Sequence, residues 1–553
     1  MSRLLALVTV MAFIVAACGG SSSDDSSDGG VKKTDTVDEG TPKPGGSMSI
    51  GLEAESTGWQ PCVNSHSTSG VIVMTSIYDP LIARNADGDY TPYLAQSIKG
   101  NDTNTEWTLK LRSGVKFHDG TDLTAAVLKD NFDNNTKAET STCLGAVKTI
   151  TEVQVVDDLT VKYILDSPFG PFPSLLTGAV GYPFSPTNAK AKGEDVAANP
   201  VGTGPFKFGN WERDSKLTVT KNADYWRKGL PYLDEVVFRP IPDEDARLAS
   251  VSSGEIDIIQ TQRQEFVKQA RDLGSAVKTY EHIGNNCGGS IFNTTVAPVD
   301  DKRVRNALAN AMKQEDLIAI LGGKGISPPC TQFFSKDSPW YSEKVAKAYP
   351  GFDVAKAKSL AEEYKNDPKR SDGKKPGDPL TVQFNCPGDP TLIAVAQGYQ
   401  QMAQAAGIVM ELKQVEQATH IGNAVGKPPF TSADYMINCW RLGGQGDPDS
   451  VLFNQYGSPE GNASNVTNFD NADVQAQLKI GRESADTDVR KAAYEKIGMI
   501  FSEEVPHVWT GATATSVVTK TNVRGIAGWK LPNDSTGIGP EESYVAAWAL
   551  WRA

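Results

Sequence analysis

Segments with the two-residue period of a β-strand alternate with segments of helical period along most of this 553-residue chain. Trp107, Leu109 and Leu111 alternate with polar residues, which is the pattern of a strand with one buried face. Helical spacing runs from about residue 391 to 406 and stops before a glycine, and Asp243 is placed to cap the helix that follows it. This alternation predicts a mixed α/β protein.

The first 18 residues predict the compartment. Arg3 gives a positive start, and an apolar run extends from Leu4 to Ala17. That run is shorter than the roughly 20 apolar residues of a membrane-spanning helix and suits the core of a signal peptide. The small residues before Cys18 resemble the bacterial lipobox, in which the cysteine is acylated and becomes the new N-terminus. We therefore expect a lipoprotein signal peptide over 1–18 and lipidation of Cys18; the alternative is an ordinary secretory signal with a stray cysteine.

Residues 19–46 have the composition of a tether. They are rich in Ser, Asp, Gly and Lys and contain almost no large apolar residue, so burial cannot offset the entropy lost on ordering. A diacylglyceryl group on Cys18 supplies two acyl chains, which is enough for stable anchoring. We expect a disordered tether over 19–46 that holds the folded part at the outer face of the bacterial cytoplasmic membrane.

The remaining 500 or so residues are enough for two or three lobes. With 39% hydrophobic and 22% charged residues, the whole chain has the composition of a soluble globular protein. The formal net charge of −13 argues against nucleic acid as a partner, because binding to it needs clustered Lys and Arg.

Cysteine usage fits export. Apart from Cys18 the chain has six cysteines, and an even number in an exported protein favours disulfides over free thiols. None of them forms a C-x-x-C pair, which argues against a zinc site. Six cysteines allow 15 connectivities, and the residues alone do not choose among them.

Motifs of catalysis are mostly absent from the sequence. Among the five histidines none begins H-E-x-x-H, and no serine stands in G-x-S-x-G. The chain also has no Walker A loop and no G-x-G-x-x-G. We therefore predict a binding protein without cofactor or metal, not an enzyme. A lipid-anchored hydrolase with paired carboxylates remains the alternative, because such pairs are defined only in space.

Three stretches carry a resemblance to a known family. They read YLA at 93–95 with WTLKLRSGVKFHDG at 107–120, PVGTGPFKF at 200–208 with NADYW at 222–226, and IPD at 241–243 with the segment up to Asp257. In order and spacing they resemble family 5 of the bacterial extracellular solute-binding proteins, the receptors of ABC importers for dipeptides, oligopeptides and nickel. The turn residues and aromatics of these stretches indicate scaffold, so the ligand site is expected elsewhere.

The resemblance implies a two-lobed periplasmic-binding-protein type II fold that closes on its solute by a hinge. The first lobe would comprise residues 47–285 and 510–553, with an extra subdomain at about 70–200, and the second lobe 286–509. The implied function is capture of an oligopeptide-like solute and its delivery to the transmembrane subunits of an ABC permease, by a monomer. A receptor of the same fold for an oligosaccharide or a metal chelate is the alternative.

The resemblance also implies where the solute binds. A Trp-containing loop of the family corresponds to residues 438–449, and we expect ligand contacts from Asn438, Trp440, Arg441, Gly444 and Asp447. The aspartate that pairs with a peptide amine in relatives falls on Gly444 here, or on Arg441 if gaps are placed differently, so we expect an anionic or acceptor group of the solute to meet Arg441.

A second wall of the cleft is expected from residues 57–69, with Trp59, Asn64 and His66 as candidates. The resemblance further implies a disulfide between Cys287 and Cys439, which would clip the ligand loop to the second lobe. Pairing of Cys330 with Cys386 and of Cys62 with Cys143 would complete the set.

Overall fold

A computed structural model describes residues 40–64, 66–138, 141–425, 434–440, 446–460, 462 and 464–553. The expected signal peptide, Cys18 and most of the expected tether lie outside this range. Within it, no helix is both long and apolar enough to span a bilayer.

Eighteen strands occur in the described residues. They are β1 (Ser47–Leu52), β2 (Ile82–Arg84), β3 (Tyr90–Pro92), β4 (Ala95–Gly100), β5 (Glu106–Leu111), β6 (Ile150–Asp157), β7 (Thr160–Leu165), β8 (Phe206–Glu212), β9 (Lys216–Lys221), β10 (Glu235–Pro240), β11 (Ile258–Thr261), β12 (Lys278–Phe292), β13 (Thr381–Pro387), β14 (Val409–Val415), β15 (Ile437–Trp440), β16 (His507–Thr519), β17 (Val523–Arg524) and β18 (Trp551–Arg552).

Fourteen α-helices accompany these strands in the same part of the chain. They are α1 (Thr68–Ile77), α2 (Ala125–Asn131), α3 (Pro186–Lys192), α4 (Glu244–Ser252), α5 (Gln264–Asp272), α6 (Lys302–Ala311), α7 (Gln314–Ile320), α8 (Glu343–Ala348), α9 (Val354–Lys365), α10 (Pro390–Ala405), α11 (Gln417–Val425), α12 (Pro448–Tyr456), α13 (Ala472–Glu483) and α14 (Thr487–Glu504).

Side-chain caps explain where several of these helices begin. Asp243 accepts a hydrogen bond from the N–H of Ala246 and so caps α4, as its position in the sequence predicts. Asp389 caps α10 in the same way, and the helix ends one residue earlier than expected.

A ten-stranded sheet runs through the molecule in the order β14-β13-β15-β12-β16-β11-β1-β10-β9-β8. Two neighbouring strands near its middle, β12 and β16, pair antiparallel from Lys278 opposite Thr519 to Ile291 opposite His507. They are the segments that cross between the lobes of a mixed α/β, two-lobed fold. We call the part around β1 and β8–β11 the first lobe and the part around β13–β15 the second lobe.

The hydrophobic core is divided in the same way. One cluster surrounds Ile50 and Phe238 in the first lobe, and a larger one surrounds Phe384 and Trp509 on the side of the second lobe. A third cluster packs around Leu109 beneath the separate four-stranded sheet β4-β5-β7-β6. We call the part built on this small sheet the subdomain.

The resembling stretches join α1 to the strands of the first lobe. Asp79 is buried and accepts hydrogen bonds from Tyr225 at 2.8 Å, Trp226 at 2.8 Å and Thr203 at 3.3 Å. Burial raises the pKa of Asp79 to about 7, although these hydrogen bonds oppose the shift. A Cβ on Gly204 would lie 2.5 Å from the carbonyl oxygen of Ile77, so only glycine fits there. The residues that carry the family resemblance here therefore belong to the scaffold.

Candidate functional site

A small cleft with a cavity volume of about 20 Å³, partly open to solvent, lies between the lobes. Its walls come from the β2–β3 hairpin of the first lobe, from the crossing strand β12 and from two segments of the second lobe. The lining residues are Arg84, Asn285, Asn286, Phe333, Phe334, Ser338, Pro339, Trp340, Gly446, Asp447, Pro448 and Val451.

The floor of the cleft exists because β12 leaves its partner strand there. The register between β12 and β16 shifts between Ile283 and Cys287, and this irregularity contains Asn285 and Asn286. The chain bonds instead to a segment of the second lobe, since the N–H of Cys287 donates to the carbonyl of Phe333 at 2.8 Å and the N–H of Ser335 donates to that of Asn285 at 2.9 Å. Two asparagine side chains are thereby placed at the point where the lobes meet.

Arg84 enters the cleft from the first lobe. Its Nη2 donates to Oε1 of Glu541 at 2.5 Å, and Nδ2 of Asn285 donates to the same oxygen at 2.6 Å. Burial alone would lower the pKa of Arg84. The negative charge of Glu541 and the hydrogen bond to it outweigh burial, so the pKa of Arg84 is raised. The C-terminal stretch is thus tied both to the crossing strand and to the cleft wall.

Asp447 lies on the opposite wall, but its carboxylate is occupied. Arg490 donates to both oxygens, to Oδ2 at 2.9 Å and to Oδ1 by a second bond. Oδ1 also accepts from the N–H of Asp449 at 2.9 Å, which caps α12. Burial works against the charge of Arg490, yet the bonds to Asp447 raise its pKa above the ordinary value. Asp447 therefore shapes the wall and holds Pro448 in place.

Trp440 and Asn438 lie on β15, beside the cleft-lining strand β12. Trp440 is half-buried opposite Gly289, and its ring centroid is 5.9 Å from that of His420. Asn438 is 0% exposed, and neither polar atom of its side chain has a hydrogen-bond partner in the described structure. Arg441 and Gly444 lie outside the described residues, so their predicted contacts stay predictions.

The first-lobe candidates form a cluster of their own. Trp59 is 1% exposed, stacks on His66 at 5.8 Å and meets the edge of Trp211 at 5.6 Å. Nδ1 of His66 shares a 3.0 Å hydrogen bond with the Ser56 hydroxyl, and burial lowers the pKa of His66 to about 4. Oδ1 of Asn64 accepts a hydrogen bond from the N–H of Gln60 at 3.2 Å, within the same loop. None of these residues lines the cleft among the described residues.

The disulfides correct two of the three expected pairings. Cys62 bonds Cys143 as expected, whereas Cys287 bonds Cys330 and Cys386 bonds Cys439. The reason is strand register. β13 and β15 pair in parallel with Asn385 opposite Asn438, so the residues that follow these two, Cys386 and Cys439, face each other with Cα atoms 5.3 Å apart. Cys330 lies beside Cys287 because its segment runs along both crossing strands.

Three of the residues that build the site were not predicted from the sequence. Arg84 and Glu541 are 457 positions apart, and neither has a motif around it. Asn285 does have a signal, because asparagine and glycine are depleted in strands, yet Gly284-Asn285-Asn286 lies within the long strand β12. Among the described residues no group of three or more His, Cys, Asp or Glu side chains is placed to hold a metal ion.

Comparison with known proteins gives consistent matches. A family model described as bacterial extracellular solute-binding proteins, family 5 Middle, matches residues 89–464. The glutathione-binding protein GsiB of Salmonella typhi is 25% identical over 485 residues, which are 85% of this chain and 89% of that protein. The structure of CtaP of Listeria monocytogenes aligns with a TM-score of 0.74 at 24% identity, covering 92% of this chain and 100% of that one. DppA of Helicobacter pylori in complex with the peptide STSA gives 0.72 at 20% identity, covering 92% and 98%.

Proposed function

Because this chain belongs to family 5 of the bacterial extracellular solute-binding proteins, we propose that it captures a peptide-like solute between its lobes for an ABC importer. Members of this family bind solutes and deliver them to ABC permeases, and they are not enzymes. The observation that carries the proposal is the cleft, in which Arg84 of the first lobe faces Trp340 of the second across the asparagines of β12.

The chemistry of the lining suits a short peptide. Asn285 and Asn286 present amide groups that match peptide N–H and C=O groups, while Phe333, Phe334 and Trp340 supply an aromatic wall for an apolar side chain. GsiB is named for glutathione, a tripeptide, and the DppA structure contains a tetrapeptide, which supports the same class of solute.

The further parts of the proposal concern anchoring and motion. Lipidation at Cys18 would hold the protein at the outer face of the membrane, where it meets the permease. The lobes would comprise residues 47–285 with 510–553 and residues 286–509, and they would close by bending β12 and β16 near the register shift at Asn285. Trp440, Arg441 and Gly444 would complete the second-lobe side.

Native mass spectrometry of freshly purified protein tests the proposal, because it reads the mass of whatever solute co-purifies. A peptide mass, followed by stabilisation of the emptied protein by that peptide, is the expected result. A co-purified sugar or metal chelate would mean that the protein is a receptor for that solute and not for a peptide. A protein that carries nothing and is stabilised by no peptide, sugar or chelate would not be a solute receptor.

A pair of variants locates the site. Trp340→Ala removes part of the aromatic wall and should weaken binding of the identified solute by about 2 kcal/mol or more, roughly 30-fold. Phe352→Ala removes an exposed aromatic ring of the second lobe that does not line the cleft, and it should leave the affinity unchanged. Equal effects of the two substitutions would place the solute elsewhere.

A further inference from the structure

Arg84 has hydrogen-bonding capacity to spare inside the cleft. Its guanidinium has five N–H donors, and within the described residues Nη2 makes the one side-chain hydrogen bond, to Glu541. The side chain is only 16% exposed, so its remaining donors are largely shielded from bulk water. A guanidinium in such a position is suited to a bidentate bond with a carboxylate.

The position of Arg84 is fixed before any solute arrives. Glu541, itself 11% exposed, holds the guanidinium and is held in turn by Asn285 of the crossing strand. The two residues after Glu541 both have positive φ, 50° at Glu542 and 60° at Ser543, and the N–H of Glu542 bonds Nδ1 of His282 at 3.3 Å. A tight turn therefore presents the Glu541 carboxylate, and little side-chain entropy remains to be lost when Arg84 binds a ligand.

The other charges near the cleft are already used. Asp447 is the one acidic residue in the described lining, and Arg490 occupies both of its oxygens. All three nitrogens of Arg490 donate, to Asp447, to Tyr494 at 3.1 Å and to the carbonyl of Gly481 at 2.9 Å. Among the described lining residues, Arg84 is the one Lys or Arg, and its charge is shared with Glu541 through a single nitrogen, so its other donors remain available to a solute.

We infer that Arg84 binds a carboxylate group of the solute, with Glu541 as its positioning residue. This assignment rests on the proposed function and narrows the solute to acids, such as peptides with a free C-terminal carboxylate. The carboxylate would thus be bound by a residue of the first lobe, whereas Arg441, which is expected to contact the solute, belongs to the second.

The test uses di-, tri- and tetrapeptides, each prepared as the free acid and as the C-terminal amide. Titration calorimetry of the full chain, emptied of co-purified solute, gives the ratio of acid to amide affinity for each pair. Wild-type protein should prefer the acid by about tenfold or more, and Arg84→Gln should bind the acid at least about 30-fold more weakly. The ratio for Arg84→Gln should fall to about one. A variant that merely distorted the lobe would weaken acid and amide alike and leave the ratio unchanged.

Two further variants sharpen the result. Glu541→Gln should weaken binding less than Arg84→Gln and keep the preference for the acid, because the guanidinium remains. Arg239→Gln is the matched control: Arg239 pairs with Glu255 at 2.8 Å on the exposed side of the same lobe, and its loss should leave the ratio as in wild type.

Equal affinity of wild-type protein for acids and amides, or a preference that survives in Arg84→Gln, would overturn the assignment. So would a co-purified solute that lacks a carboxylate, in which case solute capture itself still stands. If wild-type protein binds no solute of any kind, the proposed function fails together with the assignment.

Discussion

The backbone N–H of Gly170 donates a 2.8 Å hydrogen bond to the carbonyl oxygen of Arg482. Gly170 belongs to the subdomain that carries the small sheet, whereas Arg482 lies in the last turn of α13 in the second lobe. Beside this bond, Nδ2 of Asn104 donates to the carbonyl of Glu483 at 2.9 Å, and the Arg482 guanidinium lies 4.7 Å from the ring of Phe169. The subdomain and the second lobe therefore meet at a point that lies outside the cleft.

Gly170→Ala should weaken solute binding by disfavouring the closed arrangement. A Cβ on Gly170 would lie 2.0 Å from the carbonyl oxygen of Ser484, which belongs to the second lobe and would move away if the lobes separate as proposed. Overpacking of this kind costs about 1–3 kcal/mol, which corresponds to an affinity loss of about 5- to 150-fold. Calorimetry with the identified solute measures the loss, and the Tm of the solute-free protein should stay nearly constant.

Gly145→Ala is the control for this change. Gly145 precedes the small-sheet strand β6, and a Cβ there meets no atom within 4 Å. Affinity should be unaffected. If Gly170→Ala and Gly145→Ala bind the solute equally well, contact between Gly170 and the second lobe does not contribute to closure.

The disulfide pattern gives a second prediction. Peptide mapping of the nonreduced protein should find Cys62–Cys143, Cys287–Cys330 and Cys386–Cys439 and no free thiol among these six. Replacing Cys386 and Cys439 together by alanine should lower the free energy of unfolding by about 2–4 kcal/mol, because the bridge closes a long loop in the unfolded chain. Recovery of a Cys287–Cys439 peptide would contradict the register of β13 and β15.

The pairing shows where prediction from the sequence ended. The cysteine count predicted three bridges in an exported protein, but a choice among 15 connectivities needs the register of strands that are far apart in the chain. The strand at Trp107, the cap at Asp243 and the structural role of Tyr225 follow from local pattern, and all three are found.

The site could be predicted only in part for the same reason. The loop at 438–449 does reach the cleft through Asp447, yet Arg490, 43 residues further on, occupies its carboxylate. Arg84 and Glu541 come together only because the C-terminal stretch returns to the crossing strands. Contacts between residues so far apart have no sequence period or spacing that would reveal them.

Cys18→Ala tests the anchor. The small residues before Cys18 and the apolar run from Leu4 to Ala17 predict acylation, and two acyl chains give a stable anchor. Fractionation should find the wild-type protein with membranes and the variant in the medium or unprocessed. Ser23→Ala, in the expected tether, should fractionate like wild type. A Cys18→Ala protein that is correctly cleaved and still membrane-bound would refute lipidation.

The last prediction concerns acid stability and the buried His507. Its ring stacks on Trp509 at 4.4 Å and its Nδ1 shares a 2.8 Å hydrogen bond with the Tyr456 hydroxyl, while burial lowers the pKa of His507 to about 3. An unfolded histidine titrates near 6.5. The stabilising contribution of neutral His507 is therefore complete above pH about 6.5 and is lost as the pH falls towards 3, by at most about 1.4 kcal/mol per pH unit.

The other histidines act in the same direction, since burial lowers the pKa of His66 and His118 to about 4 and also lowers those of His282 and His420. Three carboxyls act in the opposite direction, because burial raises their pKa values, to about 7 at Asp79, to about 6 at Asp449 and above the ordinary value at Glu244. The five histidines outnumber these three carboxyls, so the protein should lose stability between pH 6.5 and 4.

Urea unfolding at pH 7, 6, 5 and 4 measures this loss. His507→Gln should be less stable than wild type at pH 7, because the stacking on Trp509 is gone, yet its stability should fall less steeply below pH 6.5, since one buried group no longer takes up a proton on unfolding. The difference between wild type and variant should therefore shrink towards pH 4. Parallel curves for the two proteins would mean that His507 keeps an ordinary pKa in the folded state.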